Sequence, residues 1–163
     1  MAQDVAGEEV IPAPAVIFLD IDGVLNRTRS GTHIRLDDDL VRRFSDLVQR
    51  SNASIVLSTF WRGFPSYIAH ILARYDIPPD IIIGSTPGAA HRDHTAADDC
   101  VYAHRSAEIE AWLEEHPEVT RFAILDDRET AGYGKLSANF IHVDTSTGLS
   151  PDDVERALAL LAR

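Results

Sequence analysis

Short apolar runs alternate along the chain with longer segments in which apolar residues recur every three to four positions. The apolar runs lie at residues 15–19, 53–57, 81–84, 122–125 and 140–143. The first run, 15–19, is unbroken, which is typical of a strand covered on both faces of a parallel sheet. The longer segments predict four helices, at about 38–51, 65–77, 106–116 and 151–161. This order favours right-handed crossovers and a doubly wound α/β fold with a mainly parallel, five-stranded sheet.

Residues that cap helices mark the boundaries of the helical segments. Asp37 is placed to cap the first helix, Pro65 fits the first turn of the second, and Ser106 begins the third. Ser150, followed by a proline and two aspartates, predicts the N-terminus of the last helix. A tail at 1–13 and a long loop at 85–104 show little periodicity. We therefore expect a single domain over residues 14–163.

Composition and charge narrow the function classes. The 163 residues include 26 acidic and 15 basic side chains, for a formal charge of −11, and such a field disfavours broad, sequence-independent coating of nucleic acid. The single cysteine, Cys100, excludes an intramolecular disulfide and a cysteine-based zinc site. No apolar run approaches the length of a membrane span, and the acidic first fifteen residues do not resemble a secretory signal. We expect a cytoplasmic protein.

Polar residues follow three of the predicted strands at the point where each strand ends. In a doubly wound sheet these carboxyl ends meet at one edge, where ligands bind. Aspartates converging on one crevice repel one another, and oxygen-rich sets of this kind are what Mg²⁺ prefers. Gly23 permits a tight turn away from the sheet. The residues at the three strand ends are Asp20 and Asp22, Ser58 and Thr59, and Asp126 and Asp127.

The stretch at 20–26 (DIDGVLN) resembles the first motif of the haloacid dehalogenase (HAD) superfamily, and the other two strand ends resemble its second and fourth motifs. The resemblance covers roughly residues 15–160 and implies Mg²⁺-dependent phosphoryl transfer. It makes Asp20 the nucleophile that forms an aspartyl-phosphate, and Asp22 the general acid and base. It also implies a metal site of Asp20 and Asp22 with Asp126 and Asp127, the last meeting the ion directly.

Three further stretches, 58–62 (STFWR), 105–113 (RSAEIEAWL) and 124–127 (ILDD), are similar to the short HAD domains of Swiss Army Knife RNA repair-like proteins. This pattern favours Thr59 as the hydroxyl that binds the phosphoryl group, with Ser58 as the alternative. One departure concerns the third HAD motif, which is normally a lysine at the start of the helix before the fourth strand. The single lysine of this sequence, Lys135, comes after the acidic pair and so stands in the wrong order. Arg105 stands at the expected helix start and can neutralise phosphoryl charge instead.

Other interpretations of the sequence lead elsewhere. A receiver domain of a response regulator also has acids, a hydroxyl and a doubly wound sheet, but it has its acidic pair after the first strand and its phosphoacceptor after the third. Here the third strand ends in Gly84 and Ser85, so the order of motifs excludes it. A non-catalytic phospho-binding domain stays open as the alternative. The histidines and aspartates of 91–104 are taken as solvated loop rather than a metal site, Trp112 as core, and Trp61 as packing beside the site. The basic loop at 27–35 either guides an anionic substrate or is solvated surface charge.

The spacing between motifs bears on the substrate. Only about ten residues, 26–36, separate the first motif from its helix, and the loop at 85–104 lacks the periodicity of a cap core. We therefore expect no large cap domain and an open crevice. An open crevice suits a phosphorylated macromolecule, such as a nucleic-acid end, rather than a free sugar phosphate. The acidic charge predicts that the domain alone does not bind nucleic acid stably.

Overall fold

A computed structural model describes residues 13–28, 32–88 and 102–163. Its centre is one five-stranded sheet in the order β3-β2-β1-β4-β5, and every neighbouring pair is parallel. The prediction of a doubly wound, five-stranded α/β fold is confirmed. The predicted tail and most of the predicted 85–104 loop lie outside the described residues. The strands are β1 (Ala15–Leu19), β2 (Ser54–Leu57), β3 (Ile82–Ser85), β4 (Arg121–Asp126) and β5 (Phe140–His142).

Four helices cover the two faces of this sheet. They are α1 (Asp38–Ser51), α2 (Pro65–Ala73), α3 (Arg105–Glu115) and α4 (Pro151–Leu161). Helices α1, α2 and α4 pack with the odd-numbered side chains of β1 in one apolar cluster, and α3 packs with Val16 and Phe18 in the other. Burial on both faces is the reason that β1 is apolar at all five positions. The central strand therefore delivers its C-terminal residue to the middle of the sheet edge.

Several element boundaries differ from the sequence prediction. The third strand begins at Ile82, because Pro79–Ile81 form a 3-10 turn before it. The second helix ends at Ala73, and Asp76 with φ 61° turns the chain, so Tyr75 lies beyond the helix. The third helix begins at Arg105, one residue earlier than predicted. The predicted N-terminus at Ser150 is present as a reciprocal capping box with Asp153.

No second folded unit stands over the carboxyl edge of the sheet among the residues that the structure describes. None of the helices in these ranges is both long and apolar enough to span a bilayer.

Candidate active site

The strand ends hold the candidate residues through backbone hydrogen bonds that continue past the strands. The amide of Asp20 donates to the Leu125 carbonyl at 3.0 Å, and the amide of Ser58 donates to the Leu19 carbonyl at 2.9 Å. Asp126 is itself the last residue of β4. Because β1 lies between β2 and β4, all three strand ends meet around Asp20.

Three carboxylates form a compact buried group at this edge. Asp20, Asp126 and Asp127 each offer an oxygen within 4.8 Å of the other two. Within the described ranges, Oδ2 of Asp126 and Oδ1 of Asp127 are buried without a hydrogen bond. Gly23, at φ 81°, lies so close that a Cβ there would overlap the Asp127 carboxylate. Divalent cations such as Mg²⁺ take carboxylate oxygens as ligands, and buried carboxylate oxygens without a hydrogen-bond donor need a positively charged partner. This group therefore fits a metal ion.

Arg105 is the cation nearest to these acids in the described part of the chain. Its side chain is buried, and Nη1 lies 3.6 Å from Oδ1 of Asp20 and 3.5 Å from Oδ2 of Asp126. The same nitrogen donates a hydrogen bond to the Ser58 carbonyl. Burial lowers the pKa of this guanidinium, but the neighbouring carboxylates raise it further, so Arg105 stays charged. It occupies the helix start at which the sequence placed the phosphate-binding cation.

A second arginine and a glutamate continue the chain of ion pairs from Arg105 away from the three carboxylates. Oε2 of Glu108 lies 3.0 Å from Nη2 of Arg62 and 3.7 Å from Nε of Arg105. Arg62 also donates to the carbonyls of Thr59 (2.7 Å), Thr86 (3.1 Å) and Pro87 (2.8 Å). It thereby ties the loop after β2 to the end of β3 and to α3.

The charges of this buried network do not balance. With all four carboxylates ionised, its two guanidinium groups would leave two negative charges uncompensated. Burial, followed by the charge of Asp20, raises the pKa of Asp126 well above its ordinary value of 3.8. Burial also raises the pKa of Asp20, against the opposing effects of Arg105 and of hydrogen bonds from Ile21 and Thr59. One divalent cation would supply the missing charge.

Asp22 lies outside the three-carboxylate group, and its two oxygens have partners. Nδ2 of Asn26 donates to Oδ1 at 2.8 Å, and the indole Nε1 of Trp61 donates to Oδ2 at 2.9 Å. Asn26 also donates to the carbonyl of Arg35 at 2.7 Å. Asp22 is therefore not one of the three grouped carboxylates, and its part in a metal site stays a prediction. The two hydrogen bonds fix the orientation of its carboxylate.

The two hydroxyls after β2 differ in their surroundings. Both side chains are buried, but the Thr59 hydroxyl lowers the pKa of Asp20 and also accepts the amide of Trp61 at 3.3 Å. The hydroxyl of Ser58 has no hydrogen-bond partner in the described ranges. Contact with Asp20 favours Thr59 as the hydroxyl beside a bound phosphoryl group.

Sequence reasoning did not assign a role to several residues that hold the site. Glu108 carries one local signal, its position three residues after Arg105 on the same helix face. Arg62 appeared only within the resemblance, and nothing local marks Thr145, whose hydroxyl donates to Oδ2 of Asp127 at 2.8 Å.

A pocket of about 510 Å³ opens beside Asp127 and includes Thr145 and Arg27 in its lining. Arg27 is paired there with Asp37 and Asp39.

The parallel sheet, the acids on β1 and β4 and the hydroxyls after β2 define a HAD-like domain. The family model for the HAD domain in Swiss Army Knife RNA repair proteins matches residues 16–154, and the chain belongs to this family. The resemblance drawn from the motifs is thereby confirmed. A search of curated proteins gives no significant match. Membership supports a phosphatase-type hydrolase at the level of the superfamily.

Proposed function

We propose that this domain is a Mg²⁺-dependent phosphatase that works through an aspartyl-phosphate on Asp20. The observation that carries the proposal is the buried group of Asp20, Asp126 and Asp127, two of whose oxygens have no hydrogen-bond partner in the described residues. Asp20 and the acidic pair on β4 would hold the ion. When bound, Mg²⁺ would offset the negative charge of the site and of the substrate phosphate.

The residues of the chain divide the reaction between them. A carboxylate oxygen of Asp20 attacks phosphorus, and the bond from phosphorus to the ester oxygen breaks. Protonated Asp22, oriented by Asn26 and Trp61, gives its proton to the departing oxygen. Ionised Asp22 then takes a proton from water, which attacks the aspartyl-phosphate, releasing phosphate and restoring Asp20. Thr59 and Arg105 would bind the phosphoryl oxygens.

The proposed substrate is a phosphate on a nucleic-acid end or another large phosphoester. The described residues place no folded unit over the carboxyl edge, so a bulky group could approach Asp20. The family name refers to RNA repair proteins, which agrees with a nucleic-acid substrate. The formal charge of −11 implies that such binding is weak and sensitive to salt without a partner.

The test is a panel of phosphomonoesters, nucleotides and oligonucleotides phosphorylated at the 5′ or 3′ end, assayed with and without Mg²⁺. We expect turnover that requires Mg²⁺, with a higher kcat/KM for oligonucleotides than for sugar phosphates. Arg105→Ala should lose activity and Arg105→Lys should retain more. Phosphate binding without turnover across the panel would instead support the alternative, a non-catalytic phospho-binding domain.

A further inference from the structure

Two large aromatic side chains are exposed on loops that follow strands next to β1. Phe60 is 43% exposed and directly follows Thr59 after β2, and Tyr133 is 47% exposed in the segment after β4. Covering the apolar surface of an exposed aromatic ring with a ligand is favourable, because it removes that surface from water. Their place beside the site, rather than their exposure alone, distinguishes them from Tyr67, which is 52% exposed on α2.

Each of these rings is paired with a cationic or titratable side chain adjacent in sequence to a site residue. The guanidinium carbon of Arg128, the residue after Asp127, lies 5.6 Å from the centroid of the Phe60 ring. The ring of His104, the residue before Arg105, lies edge-on to Tyr133 at 5.3 Å. The first pair joins the loops of β2 and β4, the two strands that flank β1. We call these four residues the aromatic rim.

We propose that the aromatic rim binds the nucleobase next to the phosphate that enters the site, with Phe60 and Tyr133 as stacking surfaces. The inference rests on the proposed function and names the part of the substrate that this chain recognises. Aromatic rings combined with arginine are the means by which proteins hold single-stranded nucleic acid without sequence preference. A terminal nucleotide carries a planar base and a phosphate on one sugar, so both could be held at once.

Charge supports a nucleobase rather than an acidic peptide as the occupant. Arg128 faces the ring of Phe60, but the buried network behind the rim contains more carboxylates than guanidinium groups. Recognition through stacking is less sensitive to this field than recognition through several further anionic groups. The rim therefore adds selectivity for a base without requiring the domain to bind a long phosphate backbone.

The experiment compares two single-stranded oligonucleotides of equal charge, each phosphorylated at one end. One carries a normal terminal nucleotide, and the other carries a tetrahydrofuran residue that lacks the base. Stacking on an aromatic ring contributes about 5- to 160-fold per base. We expect wild type to show a preference of that size in kcat/KM for the base-bearing end. Phe60→Ala and Tyr133→Ala should each reduce the preference, while Tyr67→Ala, the matched control, leaves it unchanged.

The outcomes separate this inference from the proposed function. Equal kcat/KM for the two oligonucleotides in wild type overturns the rim, as does an unchanged preference in both rim variants. A phosphopeptide hydrolysed better than the base-bearing oligonucleotide also overturns it, although phosphatase activity would then stand. If wild type hydrolyses nothing, the proposed function fails. Anisotropy competition between the same oligonucleotides then measures base preference in binding directly, and its absence overturns the rim.

Discussion

Replacing Arg105 by methionine removes a buried cation from among carboxylates while keeping a similar apolar volume. In the folded protein Nη1 of Arg105 is 3.6 Å from Asp20 and 3.5 Å from Asp126. The variant would leave one guanidinium group, that of Arg62, against four buried carboxylates. We expect Arg105→Met to be strongly destabilised in the absence of metal.

The magnitude follows from these distances. At an effective dielectric constant near 20, Coulomb's law gives about 5 kcal/mol for each of the two contacts. Desolvation of the guanidinium in wild type offsets part of this sum, and protonation of a carboxyl in the variant limits the loss. Removing one partner of a buried pair costs about 3–5 kcal/mol. With a urea m-value near 2 kcal/mol per molar, the midpoint should fall by about 1.5–2.5 M.

The assay is urea denaturation at pH 8 in excess chelator and again with Mg²⁺. Because the variant site is more negative, Mg²⁺ should stabilise Arg105→Met more than it stabilises wild type. A second substitution, Asp126→Asn, should recover part of the lost stability in Arg105→Met. Arg42→Met is the matched control, since Arg42 pairs with Asp38 on the exposed face of α1 and should shift the midpoint by nothing measurable.

A midpoint for Arg105→Met within error of wild type in chelator would refute the reasoning. It would mean that solvent reaches the carboxylates or that they are already protonated at pH 8. An equal effect of Mg²⁺ on both proteins would contradict the electrostatic account of the site even if the variant were destabilised.

Four further outcomes are expected. Asp20→Asn should abolish turnover while circular dichroism shows an intact fold, and comparable turnover would rule out a covalent step at Asp20. Chelator should abolish hydrolysis and Mg²⁺ should restore it, and full activity in chelator would exclude a metal-dependent reaction. Burial raises the pKa of Asp126 above 3.8, so the folded state holds a proton that the unfolded state loses. In chelator, the free energy of unfolding of wild type relative to Asp126→Asn should therefore fall as pH rises above about 4, and a rise would reverse the assigned sign. Glu108→Gln, which removes the anion shared by Arg62 and Arg105, should lower kcat more than Glu114→Gln on the same helix, and equal rates would show that Glu108 does not position Arg105.

The sheet and the approach of its acids could be predicted because they depend on local pattern and general topology. Unbroken apolar runs, such as Ala15–Leu19, indicate buried parallel strands, and parallel strands bring their carboxyl ends to one edge. The position of Asp20 near Asp126 follows without any knowledge of side-chain packing. The predicted start of β3 was wrong by one residue, because Ile81 belongs to a 3-10 turn at Pro79–Ile81.

The contacts that hold the site could not be predicted, because they join residues distant in sequence. Arg62 and Glu108 are 46 residues apart and meet only when α3 packs beside the loop after β2. The bond from Trp61 to Asp22 spans 39 residues and depends on the rotamer of one indole ring. Hydrophobic periodicity places an element against the sheet but does not say which polar atoms will meet.

The side chain of Asn26 holds Asp22 and also both ends of the segment that follows, so the orientation of Asp22 does not depend on how long that segment is. Its Oδ1 accepts the amides of Gly23 (3.0 Å) and Thr28 (3.1 Å), while Nδ2 binds Asp22 and the Arg35 carbonyl. The segment between residues 28 and 35 is thus closed at its base by one amide group. Doubling the length of a loop costs only about 0.6 kcal/mol in closure entropy. For protein engineering, we expect a lid or binding module inserted between Thr28 and Arg35 to leave the orientation of the proposed acid unchanged.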